Sequence, residues 1–167
     1  MLKIIGAKGN IGAVDKFLEE INSFSSKNNV LIQVFNAKMI YGEKHLVSAY
    51  EHAKRAIEEG SNTTNSIAME VLLYASGERQ LKLGIPKMGI KKGQATIAFV
   101  FIGEKLTESL INEFLKSLDL SKEDKVLQGN INTLKKFGIS SQEIKTVKED
   151  KYQDLILEKI AMVDIIK

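Results

Sequence analysis

The chain has 167 residues, 44% of them hydrophobic and 27% charged, with a formal net charge of +3, which suffices for the core of a single domain over residues 1–167. It contains no cysteine, so disulfides, thiolate metal sites and thiol catalysis are excluded together. The opening MLKIIG is broken too early for a signal sequence, and the longest apolar run, Ala95 to Ile102, is far short of a membrane span, so a cytoplasmic protein with no membrane partner is expected. Heavy use of Lys, Glu and Ile with a single proline leans toward a thermophilic, archaeal source.

Taken along the chain, the pattern predicts a strand at Leu2 to Ile5, a helix from about Ala13 to Phe24 and a strand from Val30 to Asn36. Between the first two, the glycines of GAKGNIG at Gly6, Gly9 and Gly12 imitate a dinucleotide-binding turn. In that alternative the protein is reductase-like: backbone near Gly9 and Gly12 meets the pyrophosphate of NADP at a helix N-terminus, and Lys38 meets a ribose phosphate. Two consecutive helices follow where a third parallel strand is due, and no tyrosine–lysine pair of reductase type appears. A plain glycine turn is the better reading.

The first of those helices begins near Gly42 to Lys44 and places Leu46, Ala49, Tyr50, Ala53 and Ile57 on one face, with Ala56 and Gly60 beside them. Its alanines permit close approach of another element. After the polar break Gly60 to Asn65, the run Ser66 to Ala75 is apolar almost all round, with Ile67, Ala68, Val71, Leu72 and Ala75 on one side and Met69 and Leu73 toward the other. Its one charge, Glu70, is expected to pair with an arginine. Gly77 can take the positive φ that ends a helix. Ala95 to Ile102, ATIAFVFI, is apolar on both pleat faces, as a strand covered on both sides requires. Helices are expected at Thr107 to Leu118, Asn130 to Phe137 and about Asp150 to Ile166, with a capped short turn at Ser140 to Glu143. The whole reads as α+β, a small central sheet with several packed helices.

The order Tyr41-Gly42, HLVSAYEHAKRAI, SIAMEVLLYASGERQL and Gly89-Ile90 resembles the PRPK-binding protein family, the small kinase-binding subunit of the KEOPS (EKC) complex. The most specific part is Met69 to Leu81. The resemblance covers most of the chain, with one departure: Gly84 and Pro86 interrupt what it implies is a continuous helix. KEOPS installs the threonylcarbamoyl group on adenosine of tRNA. The resemblance therefore implies a non-catalytic subunit without cofactor that docks on the PRPK-type atypical kinase/ATPase and helps to hold substrate tRNA.

Two residue sets fit those partners. Arg55 and Arg79 are the only arginines, and from Arg79 to Gly103 the chain carries Arg79, Lys82, Lys87, Lys91 and Lys92 with no acidic residue. Arg55 and this stretch are the candidate tRNA-contacting residues; because no aromatics are interleaved there, the contact is expected mainly with the backbone, or with a terminal nucleotide held in a pocket formed by other elements. The plain alternative is a solvated lysine surface. For the kinase, Met69 and Leu73 point away from the assigned core stripe. The terminal run Ile160, Met162, Val163, Ile165 and Ile166 is more apolar than a chain end needs. Together they are the candidate kinase-binding face.

Catalytic constellations are thin. His45 and His52 supply at most two metal ligands with no evident third, and Ser76 sits in no nucleophile elbow. The pairs Glu19-Glu20, Glu58-Glu59 and Glu149-Asp150 flank polar faces, and no phosphate-binding P-loop is present. No catalytic residue and no metal ligand is assigned.

Overall fold

A computed structural model of the protein describes residues 1–94 and 96–167. Among these, four strands and eight α-helices are arranged as a sheet layered between helices. The strands are β1 (Leu2–Lys8), β2 (Leu31–Asn36), β3 (Thr96–Ile102) and the two-residue β4 (Ser121–Lys122). Their order is β2-β3-β1-β4, and every neighbouring pair is antiparallel. Leu2 of β1 and Leu31 of β2 both pair with Ile102 of β3. β1 and β2 are therefore joined through helix α1 (Val14–Asn28) yet separated in space by β3.

β3 is the central strand that its composition predicts. Ile97, Phe99 and Phe101 enter one core with Ile5 of β1, with Phe17 and Ile21 of α1, and with Phe114 of α5 (Glu108–Ser117). Ala98 and Val100 enter the opposite core. Phe114 meets Phe99 and Phe101 edge to face, with ring centroids 5.0 and 5.1 Å away, the geometry that the ring quadrupoles favour. Ala95, expected to open this strand, lies outside the described residues.

The second core is built by α2 (Glu43–Glu59), α3 (Ile67–Ser76), α6 (Ile131–Phe137), α7 (Ser141–Lys145) and α8 (Tyr152–Ile166). Gly42 and Gly60 bound α2 with φ of 81° and 71°, a region open to glycine at little cost. Its buried stripe is His45, Leu46, Ala49, Ala53 and Ala56, and the alanines let α3 lie close. Ile57, placed on that stripe by spacing alone, is 38% exposed. The capped turn at Ser140 is α7, whose Ser140 and Glu143 exchange side-chain-to-backbone hydrogen bonds.

Gly77, at φ 68°, ends α3 as anticipated. A new helix, α4 (Leu81–Met88), then runs through both Gly84 and Pro86, which were expected to interrupt helical structure. Gly84 is there because α4 crosses α3 closely: a Cβ would stand 2.8 Å from Ser76 Oγ and 3.5 Å from Leu72 Cδ2. Pro86 and Lys82 are exposed, so water can serve the Lys82 carbonyl that loses its helical donor.

The dinucleotide alternative finds no support in this architecture. Its parallel neighbours are replaced by antiparallel ones. Gly6 lies inside β1, with Asp124 accepting its N–H at 2.9 Å. The space beside Gly9 is filled by the Leu120 side chain. No helix among the described residues is long and apolar enough to cross a membrane.

Candidate interaction surfaces

α3 lies at the centre of the possible sites, buried from Val71 through Ser76. Its one carboxylate, Glu70, has no exposure. It accepts N–H bonds from Thr63 at 3.1 and 3.2 Å and from Thr64 at 2.9 Å, the Thr64 hydroxyl at 2.9 Å and Lys167 Nζ at 2.9 Å. Burial alone would raise its pKa. The bonds from Thr63, Lys167 and Thr64 outweigh that and hold it below the ordinary carboxylate range. The expected arginine is thus replaced by Lys167, brought to α3 by the whole length of α8, while the loop ahead of α3 supplies the other donors.

One turn along, Tyr74 Oη donates to Asp164 Oδ1 at 2.5 Å, and Asp164 Oδ2 stands 2.8 Å from His52 Nδ1. Burial raises the Tyr74 pKa, and its hydrogen bond to Asp164 raises it further. Desolvation also pushes Asp164 up, but the bonds from Tyr74 and His52 win and lower it. Arg55 Nη2 lies 2.9 Å from the same His52 nitrogen and 3.9 Å from Asp164. A proton on Nδ1 serves Asp164, leaving Arg55 as a nearby cation rather than a second hydrogen-bond partner. Arg55 is therefore tied to the end of α8. The Asp164, Tyr74 and Lys167 clasp escapes sequence reading because it joins groups 90 or more residues apart; its only signal is Asp164 interrupting the apolar run Ile160 to Ile166 and Lys167 following it.

That clasp decides which way α8 faces. Ile160 and Val163 are fully buried in the chain's own core, whereas Met162, Ile165 and Ile166 are 41%, 75% and 43% exposed. Leu73, expected to point outward, is also fully buried: α3 is covered by α2 on one side and by α4 and α8 elsewhere. Met69 is half-buried and turns to a groove between α1, β2 and α4. The expected kinase-facing residues thus separate into an exposed strip on α8, the buried Leu73, Ile160 and Val163, and Met69 elsewhere.

The basic residues separate too. Arg79, Lys82, Lys91 and Lys92 are exposed, and none makes an ion pair among the described residues. Lys87 is not available in the same way. It bonds Glu78 at 3.2 Å and lies 3.8 Å from the centroid of the Phe137 ring, and burial draws its pKa down against the opposing pull of Glu78.

His45 is a packing residue of unusual tightness. Its Nδ1 accepts from Tyr41 N–H at 3.0 Å and its Nε2 donates to the Ala75 carbonyl at 2.8 Å, fixing the neutral tautomer. Complete burial lowers its pKa from 6.5 to about 4, against the upward pull of the Ala75 bond. Ser76 Oγ is likewise spent, donating to the Leu73 carbonyl and accepting the Glu78 N–H. Among the described residues, no three His, Asp or Glu side chains gather as metal ligands.

No curated protein matches the chain. A family model, described as kinase binding protein CGI-121, matches residues 10–164, a span that holds most of both cores and Arg55, Arg79, Lys82, Lys87, Lys91 and Lys92. The chain belongs to the CGI-121 family of kinase-binding proteins.

Proposed function

We propose that this protein is the non-catalytic subunit of a KEOPS-type complex, docking a PRPK-type atypical kinase/ATPase and helping to bind the tRNA on which threonylcarbamoyladenosine is made. The family match carries the kinase part of the reading. The exposed strip Met162, Ile165 and Ile166 on a helix otherwise pinned to the core supports it, because a soluble chain gains nothing by leaving three large aliphatic side chains in water on one helix end. Kinase contact on α8 is then made by those three residues, with Ile160 and Val163 holding the helix from beneath.

The tRNA part rests on Arg79, Lys82, Lys91 and Lys92, four exposed cations on one loop, α4 and the turn after it. They suit phosphate contact, which fixes position without reading sequence. Among the described residues no nucleophile, base and set of oxyanion donors come together, and the family match supports a binding role.

The test is co-purification. The tagged protein is recovered from native extract, and bound proteins and RNA are identified. Recovery of an atypical kinase together with tRNA is the expected result. Recovery of the kinase without RNA, even at low salt, would remove the tRNA role. ATP hydrolysis by the purified chain alone would remove the non-catalytic reading.

A further inference from the structure

A large apolar concavity is separate from the α8 strip. It is a groove of about 490 Å³ along the open side of β2, the strand at the sheet's edge. One wall is α1, with Val14, Leu18 and Ile21; the other is formed from α3 and α4, with Met69, Leu72 and Ile85. The floor is Ile32, Gln33 and Val34 of β2. Because α1 packs on one face of the sheet and α3 on the other, the groove straddles the sheet's edge rather than lying on a face.

The backbone of β2 shows which groups look into it. Val30, just before the strand, directs its N–H to the Ser25 carbonyl and accepts at its own carbonyl from the Ser25 hydroxyl, so its backbone faces α1 and not β3. The Val34 carbonyl accepts from the Gln33 side-chain amide at 3.2 Å. Strand period two then turns the N–H and C=O of Ile32 the same way. Apart from the Gln33 bond, the β2 groups on this side have no partner among the described residues. An edge strand between two apolar walls is the arrangement that accepts an added strand: main-chain bonds supply affinity and the walls read alternate side chains.

We infer that this groove binds an extended segment of a partner protein as a fifth strand beside β2. Both walls are apolar, so the guest is apolar on both of its faces, unlike an amphipathic helix. Lys91 is the only charged residue of the lining, and exposed Lys92 follows it. The guest accordingly carries a carboxylate where it leaves the groove. Gln33 is the side chain that it displaces.

The experiment uses the full chain and a fluorescein-labelled heptapeptide of valine and isoleucine with a glutamate at each end, read by anisotropy. The same peptide flanked by lysines, and a helix-forming peptide of leucine, alanine and glutamate, serve as comparisons. The glutamate-flanked peptide should bind saturably and about tenfold more tightly than the lysine-flanked one, with the difference shrinking in Lys91→Glu. On saturation, the Ile32 and Val34 amides should become protected from hydrogen exchange, while those of Gln33 and Phe35, already bonded to β3, should not change. Ile85→Glu, at a position already 45% exposed, should abolish binding without shifting Tm. Absence of saturable binding up to about 1 mM peptide, preference for the helical peptide, or binding that leaves the Ile32 and Val34 amides exchanging freely would each overturn the inference. None of these outcomes bears on the kinase contact of α8.

Discussion

Two buried ionisable side chains give the protein a two-stage response to acid. His45 has its folded pKa lowered from 6.5 to about 4, so below pH 6.5 the unfolded chain takes up a proton that the folded one refuses. Stability from this group is complete above pH 6.5 and is lost as pH falls toward 4, by about 3 kcal/mol in all. Glu70, also lowered, stabilises above the ordinary carboxylate pKa and loses that contribution only at lower pH. Denaturant unfolding at pH 7 and pH 5 should show a clear loss for the parent, and His45→Gln should flatten that difference whatever its own starting stability. At pH 7, Glu70→Ala should cost about 3 kcal/mol or more, since it strands the Lys167 ammonium and the threonine donors. Lys167→Met should cost clearly less, because Glu70 keeps the Thr63 and Thr64 bonds. Thermal melts of the two variants check the order. That Glu70 needed a partner was legible from one acid in an apolar helix; that the partner is Lys167 was not, because arginine abundance nearby says nothing about where a distant helix ends.

α8 is half core and half surface, and the division falls between adjacent residues. Ile165→Glu should leave Tm within a few degrees of the parent and remove kinase co-elution. Val163→Glu should unfold the chain, since it puts an unpaired charge at a site with no exposure. Equal loss of folding in both would return Ile165 to the core. Period-3.6 reasoning found α2 from its alanine-lined stripe between Gly42 and Gly60, while α3 and α8 were legible from the length of their apolar runs. It misplaced Leu73 because an almost wholly apolar helix has no moment from which to choose a face. It missed α4 because glycine and proline read locally as breakers, whereas Gly84 answers to the approach of Ser76 and Leu72 from another helix. Two-residue β4 is too short to leave a pattern.

The proposed kinase strip and the proposed tRNA patch share no residue, so their binding reactions should be separable by mutation. With tRNA phosphates on Arg79, Lys82, Lys91 and Lys92, affinity should fall with salt, and each contact removed should flatten the log–log slope by about one unit. A Lys91/Lys92 double glutamate variant and Arg79→Glu should each do so while kinase co-elution persists; unchanged affinity and slope in both, with cooperative melting retained, would clear this patch of a role. Lys87→Glu should differ in kind, lowering Tm through the loss of its Glu78 and Phe137 contacts. The basic segment itself stood out in the sequence, but which of its cations are spent internally depends on Phe137 and Glu78 meeting around Lys87. Spacing along the chain does not contain that.

The interposition of β3 between β1 and β2 also orders events in time. Leu2 and Leu31 share a partner, Ile102, so neither early strand has β3 to pair with until Ile102, in a chain of 167 residues, has left the ribosome. Until then β1 and β2 are two unpaired apolar ribbons on a nascent chain, held apart by α1. The sheet forms only by long-range closure, the slow kind, and the helices α2 to α4 are synthesised into that interval. The alanine-lined contact of α2 with α3 needs no strand, so the growing chain can complete it before the sheet closes.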